Sequence, residues 1–282
     1  MHAPNCFSSI RSIGVRMKYF LSCLAIFKNE SANLRVWLEH YLWQGVEHFY
    51  LIDNASTDDP VGRILQPYMD RGLVTCERRP EPHAQPQHYA HMFREHRLAE
   101  QTEWLLVCDL DEFVFAPLDP RHEGIPGRLR TDFAAFDAVY LFWLLFASAE
   151  FHTPDNHLNL DLDPHGHPRD IRRLTLRRAA PHPEHKYLVR TRIVRDPGQI
   201  WIHRVLDHAP SDKIVVDETG AALRLHHYQT QSRHYFGTVK ATRGDADGFL
   251  ADDARDWAYY ARANEGMDTR DTTLADLLPK LN

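Results

Sequence analysis

The stretch KYFLSCLAIFKNESANLRVWLEHYLWQGVEHFYLIDNASTDD, residues 18–59, reads as a strand, a helix and a second strand in succession. Residues 18–27 are a nearly unbroken apolar run of strand length. Ser31 then offers an N-cap, and Leu34, Trp37, Leu38, Tyr41 and Leu42 fall at helical spacing until Gly45 stops them. Residues 46–52 form the second strand, closed by a polar turn over Asp53–Asp59 that works chiefly as a turn and cap ahead of Pro60.

The same rhythm continues downstream. Val61, Ile64, Leu65 and Tyr68 give a short apolar stripe before Gly72, Leu73–Cys76 a third strand, residues 86–100 a helix, and residues 104–108 a fourth strand. Strands alternating with helices at this spacing predict a parallel, Rossmann-like α/β sheet with right-handed crossovers. Such sheets bind ligands beyond the carboxyl ends of their strands. Three polar clusters therefore share one rim: Lys28/Asn29/Glu30, Asp53/Asn54 and Asp109/Asp111/Glu112.

Beyond the fourth strand, residues 138–149 (AVYLFWLLFASA) form an uncharged run of 12 residues. A membrane-spanning helix needs about 20, so this is a buried strand. The alternation then breaks over 150–185. Lys186–Val194, Ile200–Val205 and Leu223–Tyr228 read as strands, followed by helices near 231–243 and 252–263. No internal repeat is present.

Composition narrows the class. Hydrophobic residues make up 43% of the 282-residue chain and charged residues 26%, which fits a folded globular protein. A net charge of −6 gives no general attraction to nucleic acid. The four cysteines, Cys6, Cys23, Cys76 and Cys108, lack CxxC spacing, which suits a reducing, cytoplasmic setting. Residues 1–16 lack a sustained apolar core of the secretory kind and read as an extension ahead of Met17. No transmembrane segment is expected, and a peripheral place at the membrane stays open although no basic amphipathic helix marks one.

The chemistry concentrates in Asp109-Leu110-Asp111. No GxGxxG or GxxxxGK[ST] loop exists to cradle phosphates. Two carboxylates leaving a strand in a βα pattern instead offer hard oxygen ligands to Mg2+ or Mn2+, which can hold a diphosphate. His182, His185, His203 and His208 lie in no zinc-binding frame.

Residues 24–59, 104–113 (WLLVCDLDEF) and 226–244 (HHYQTQSRHYFGTVKATRG) together resemble the glycosyltransferase family 2 superfamily, closest to its family 92-like branch. The resemblance implies a GT-A fold, with a single domain over 17–282 divided into a nucleotide-sugar half (17–115) and an acceptor half (116–282). It implies inverting transfer from a nucleotide sugar, UDP- or GDP-linked, to a glycan or lipid-linked saccharide.

By the same resemblance, Asp53 contacts the nucleotide base, Asp109 sits near the ribose or metal, and Asp111 is the principal metal ligand. His227 is a candidate third ligand. Lys28, Asn29, Glu30, Asn54 and Gln87 would line the donor pocket, and Lys240 and Arg243 would meet its phosphates. The sequence departs from the family pattern at Gln231, where a Lys is usual, and at Ala147 and Ala149, where glycines are. Glu150 and Asp155, just past the long apolar strand, are the candidate bases for an acceptor hydroxyl. Two other readings compete: a haloacid-dehalogenase-like phosphohydrolase with Asp109 as nucleophile, and a silent nucleotide- or carbohydrate-binding module.

Overall fold

The computed structural model describes residues 17–119, 121–151, 161–244 and 255–278. Its first half follows the predicted alternation: β1 (Tyr19–Phe27), α1 (Ser31–Trp43), β2 (His48–Asp53), α2 (Gln66–Asp70), β3 (Val74–Arg78), α3 (Gln85–Glu95), α4 (Leu98–Gln101) and β4 (Thr102–Val107). These four strands are parallel, with β1 between β2 and β4. Both faces of β1 are covered. Leu21, Cys23, Ala25 and Phe27 pack with Trp37, Leu38 and Tyr41 of α1, while Leu24 and Ile26 pack with Tyr89 and Met92 of α3. A strand buried on both faces must be apolar throughout, which is why the sequence shows a run and not an alternation.

Ser31 is not the cap of α1. It is the first helical residue, and its N–H donates to Asp58 Oδ2 at 2.9 Å, so the turn after β2 satisfies the helix start. The Asp53–Asp59 turn is thus tied to the neighbouring βα corner.

After β4 the helix implied by a βα pattern is replaced by a tight turn into another strand, β5 (Glu112–Phe115). Phe113, Val114 and Phe115 are fully buried, and a return strand buries them against β10. β5 lies at the edge of the sheet, where unpaired backbone groups are costly. Helix α1 supplies the partners. Tyr41 Oη donates to the Glu112 carbonyl at 3.0 Å and accepts the Val114 N–H at 3.0 Å, and His40 Nε2 lies 2.8 Å from the Val114 carbonyl.

The second half contributes α5 (Gly124–Thr131), β6 (Ala138–Leu145), β7 (Leu176–Arg178), β8 (His182–Arg190), β9 (Ile214–Asp217) and β10 (Arg224–His227). It closes with α6 (Arg233–Tyr235), a wide π-type turn over Phe236–Lys240, α7 (Trp257–Ala263), β11 (Met267–Arg270) and α8 (Thr273–Leu277). The large sheet runs β3-β2-β1-β4-β8-β6-β10-β5, with β9 also on β6. It is mostly parallel, and β8 enters antiparallel between β4 and β6. The expected strand over 200–205 is only an isolated Ile200–Val205 pair, because the chain turns back at once through a Trp201–Arg204 hydrogen bond. No helix among the described residues is long and apolar enough to cross a membrane.

Candidate functional site

A cleft of about 410 Å³ opens where the strands end, along the rim the alternation predicts. Lys28, Glu30, Asn54, Asp109, Asp111, His227, Lys240 and Arg243 all line it. The sheet order fixes their sequence along the rim: β2 and β1 on one side of the acids that follow β4, and β8, β6 and β10 on the other.

The acid turn is held from both flanks. Trp37 Nε1 donates to the Asp109 carbonyl at 3.0 Å, and the Tyr228 N–H donates to the Asp111 carbonyl at 2.8 Å. Trp37 and Tyr41 are core residues by their periodicity, yet their polar tips position the site. Glu112, expected on the rim, is fully buried beneath the turn, where Oε2 accepts the Asp109 N–H at 2.7 Å.

Each buried acid meets a cation. Lys186 of β8 is wholly buried, and its Nζ donates to Asp109 Oδ2 at 2.8 Å with Glu112 Oε2 at 3.7 Å. Burial pushes the Asp109 carboxyl up, but the Lys186 ammonium more than reverses this and leaves it below the usual carboxylate range. One ammonium shared between two carboxylates does not offset the burial of Glu112, whose carboxyl is raised well above its ordinary value. Asp111 is held well below the usual range, since Lys240 and His227 outweigh its burial.

Lys240 Nζ lies 2.5 Å from Asp111 Oδ2 and 3.8 Å from Glu30 Oε1. Arg243 and the Tyr235 hydroxyl also bond Glu30. The π-type turn brings Lys240 in from α6, with Arg243 three residues on. Glu30 and Asp111 are balanced by Lys240 and Arg243, as buried charges must be.

For a divalent cation, the chemistry of the donors divides. Asp111 Oδ2 and His227 Nε2 lie 3.4 Å apart, a carboxylate of the kind that suits Mn2+ or Mg2+ beside an imidazole, which favours transition metals over Mg2+. His227 Nδ1 is buried with no partner among the described residues. Asp109, the first acid of the pair and expected near the ribose or metal, is turned to Lys186, and no group of three His, Cys, Asp or Glu that could hold a metal gathers among the described residues. A two-ligand site agrees with cations that keep waters and substrate phosphates in their shell.

Other expected residues sit elsewhere. Asp53 is buried, with Oδ1 accepting the Ser56 N–H and Oδ2 an Arg78 Nη1–H, so it braces its own turn. Asn29 Oδ1 accepts the Thr57 N–H. Gln87 is exposed on α3, whereas Gln85, two residues earlier, lines the cleft and donates to Tyr89 Oη at 2.7 Å. Glu150 is exposed, 4.0 Å from Arg233 and outside the cleft lining. Asp155 lies outside the described residues.

Sequence reasoning missed Lys186, Gln85, Trp143, Glu184 and His203. Only Lys186 carries a signal, as a lone cation opening the apolar run Lys186–Val189. The tight approach at Ala147 and Ala149, where glycines were expected, is met by ordinary backbone pairing: their N–H groups donate to Leu176 O and Gln231 O.

Comparison with known proteins follows the same lines. Two curated plant proteins are similar over part of the chain. A glycosyltransferase family 92 protein of Ricinus communis is 28% identical over 109 residues, or 39% of this chain and 18% of its own length. Another of Arabidopsis thaliana is 25% identical over 128 residues, or 44% and 22%. The matched part thus spans about a fifth of those relatives. Among solved structures, residues 1–349 of S. aureus TarS give a TM-score of 0.42 at 14% identity, covering 75% of this chain and 61% of that one. Glucosyl-3-phosphoglycerate synthase from Mycobacterium tuberculosis, solved with Mn2+, UDP and glucosyl-3-phosphoglycerate, gives 0.32 at 13%, covering 62% and 58%. The family model for glycosyltransferase family 92 matches residues 18–273, and the chain belongs to that family.

Proposed function

We propose that this chain is a metal-dependent glycosyltransferase that moves a sugar from a UDP- or GDP-linked donor to a hydroxyl of a glycan or lipid-linked saccharide, with inversion. The observation that carries the reading is the convergence of Asp111, His227, Lys240 and Arg243 on one corner of the cleft. Its buried charges already cancel, so a diphosphate entering there brings negative charge that calls for a cation of its own. A divalent ion held by Asp111 and His227 would supply Lewis-acid stabilisation of the departing diphosphate.

The chain's own residues do the rest. Lys240 and Arg243, held in place by Glu30, present N–H donors already aimed where the leaving oxygen becomes negative, with no reorganisation at that moment. Asp109, fixed by Lys186 and by Trp37 at its carbonyl, borders the path of the sugar. Asn54 and Gln85 line the β1–β2 side, which suits the nucleoside. The test is Asp111→Asn. Mn2+-dependent release of nucleoside diphosphate should fall by about 100-fold or more, while far-ultraviolet circular dichroism stays unchanged. Full Mn2+-dependent activity in that variant would end the metal assignment.

A further inference from the structure

We propose that Glu184 is the general base that accepts the proton of the incoming acceptor hydroxyl. The inference rests on the transferase reading above and names the group it leaves open.

Among the described residues four carboxylates line the cleft: Glu30, Asp109, Asp111 and Glu184. The first three are engaged, by Arg243 and Lys240, by Lys186, and by Lys240 with His227. The Glu184 carboxylate has no hydrogen bond or ion pair among the described residues, and the residue is exposed to the cleft. A base must keep its lone pairs available to the substrate, so this is the carboxylate fit for that task.

Its placement is built into the sheet. Along the β6–β8 ladder Phe142 pairs with His185, yet Trp143 pairs with His182, so Pro183 and Glu184 are extra residues with no partner. Such a bulge turns a side chain out of the regular pleat, here toward the ligand rim. The bulge is pinned. The Glu184 N–H donates to His182 Nδ1 at 3.2 Å, and the His182 ring stacks on Trp143 with centroids 5.6 Å apart.

The direction also suits inversion. β8 lies on the far side of the Asp109–Asp111 turn from β1 and β2, while Lys240 and Arg243 are bound to Glu30 at the end of β1. An acceptor approaching from the Glu184 and Trp143 side faces the anomeric carbon opposite the departing diphosphate. The acceptor O–H proton passes to the Glu184 carboxylate as that oxygen bonds the anomeric carbon. The bond from the anomeric carbon to the β-phosphate oxygen breaks, its electron pair leaving on the nucleoside diphosphate. Protonated Glu184 then returns the proton to water.

The experiment uses the full chain with Mn2+, UDP-glucose, UDP-galactose, UDP-N-acetylglucosamine and GDP-mannose as donors, and methyl glycosides of glucose, galactose and mannose as acceptors. Nucleoside diphosphate release and the Kd for UDP or GDP are measured together. Glu184→Gln is expected to slow release by about 100-fold or more with Kd within twofold of the parent, and Glu184→Asp to retain a measurable part of the rate. Release by Glu184→Gln within threefold of the parent overturns the assignment and leaves the transferase standing, and so does a parallel loss of nucleotide binding. A parent protein that neither binds UDP or GDP nor releases either overturns the transferase reading itself, and this assignment with it.

Discussion

At the residue scale, the site shows how few cations settle many carboxylates. Lys186 serves Asp109, while burial holds the Glu112 carboxyl beneath it well above its ordinary value. Removing that ammonium leaves Asp109, whose side chain is 34% exposed at the cleft, without its partner; water screens part of the loss, so breaking this pair costs about 1–2 kcal/mol. Lys186→Met should therefore lower the urea-derived unfolding free energy by about that much, and a loss of ~3 kcal/mol or more would show that the cleft shields Asp109 from water. A separate residue contributes to the response to acid. His48 stacks on Tyr19, and its Nδ1 and Nε2 approach the Gly72 carbonyl and Thr75 Oγ1. Burial pushes its imidazole down to about 4. The unfolded chain then binds the proton more readily, so the stability His48 contributes is complete above about pH 6.5 and is lost as pH falls toward 4. In His48→Gln the slope of stability between those pH values should flatten, and an unchanged slope would remove His48 from the acid response.

At the element scale, α1 does more than cover the sheet. Its far end meets the start of α5, where the Ile125 N–H donates to the Gln44 carbonyl at 3.0 Å and Gln44 Oε1 accepts the Ala116 N–H after β5. Gly124 makes this approach possible: its φ is +59°, and a Cβ there would lie 2.4 Å from the Gln44 carbonyl oxygen. Both the left-handed backbone and a clash with main chain oppose any side chain, together about 3 kcal/mol. Gly124→Ala should lower the unfolding free energy by about that amount and speed exchange of the β5 amides. Unaltered exchange there would mean that α1 holds β5 independently of α5.

At the scale of the whole molecule, the cleft is assembled from both halves of the chain, with Glu30 and Asp111 from one and Lys240, Arg243 and His227 from the other. A ligand that bridges them should stabilise the fold as a unit. On the proposed function, UDP at 100 times its Kd with Mn2+ should add about 2.7 kcal/mol, raising Tm by roughly 4–5 °C for a chain of this size. An equal rise in EDTA would show that the nucleotide needs no cation. The sequence by itself determined β1 to β4 and the rim, because local periodicity encodes strands, helices and the corners where polar runs such as Lys28–Glu30 and Asp109–Asp111 must fall. The tertiary structure alone decided which polar side chains look into the cleft: Gln85 over Gln87, Glu184 over Glu150, and Asp53 turned to Arg78. It also decided that Lys186 meets Asp109. The placements of Lys186 and Glu184 follow from β8 inserting antiparallel between β4 and β6 with a two-residue bulge, and strand pairing across such distances is fixed by packing that no local pattern records.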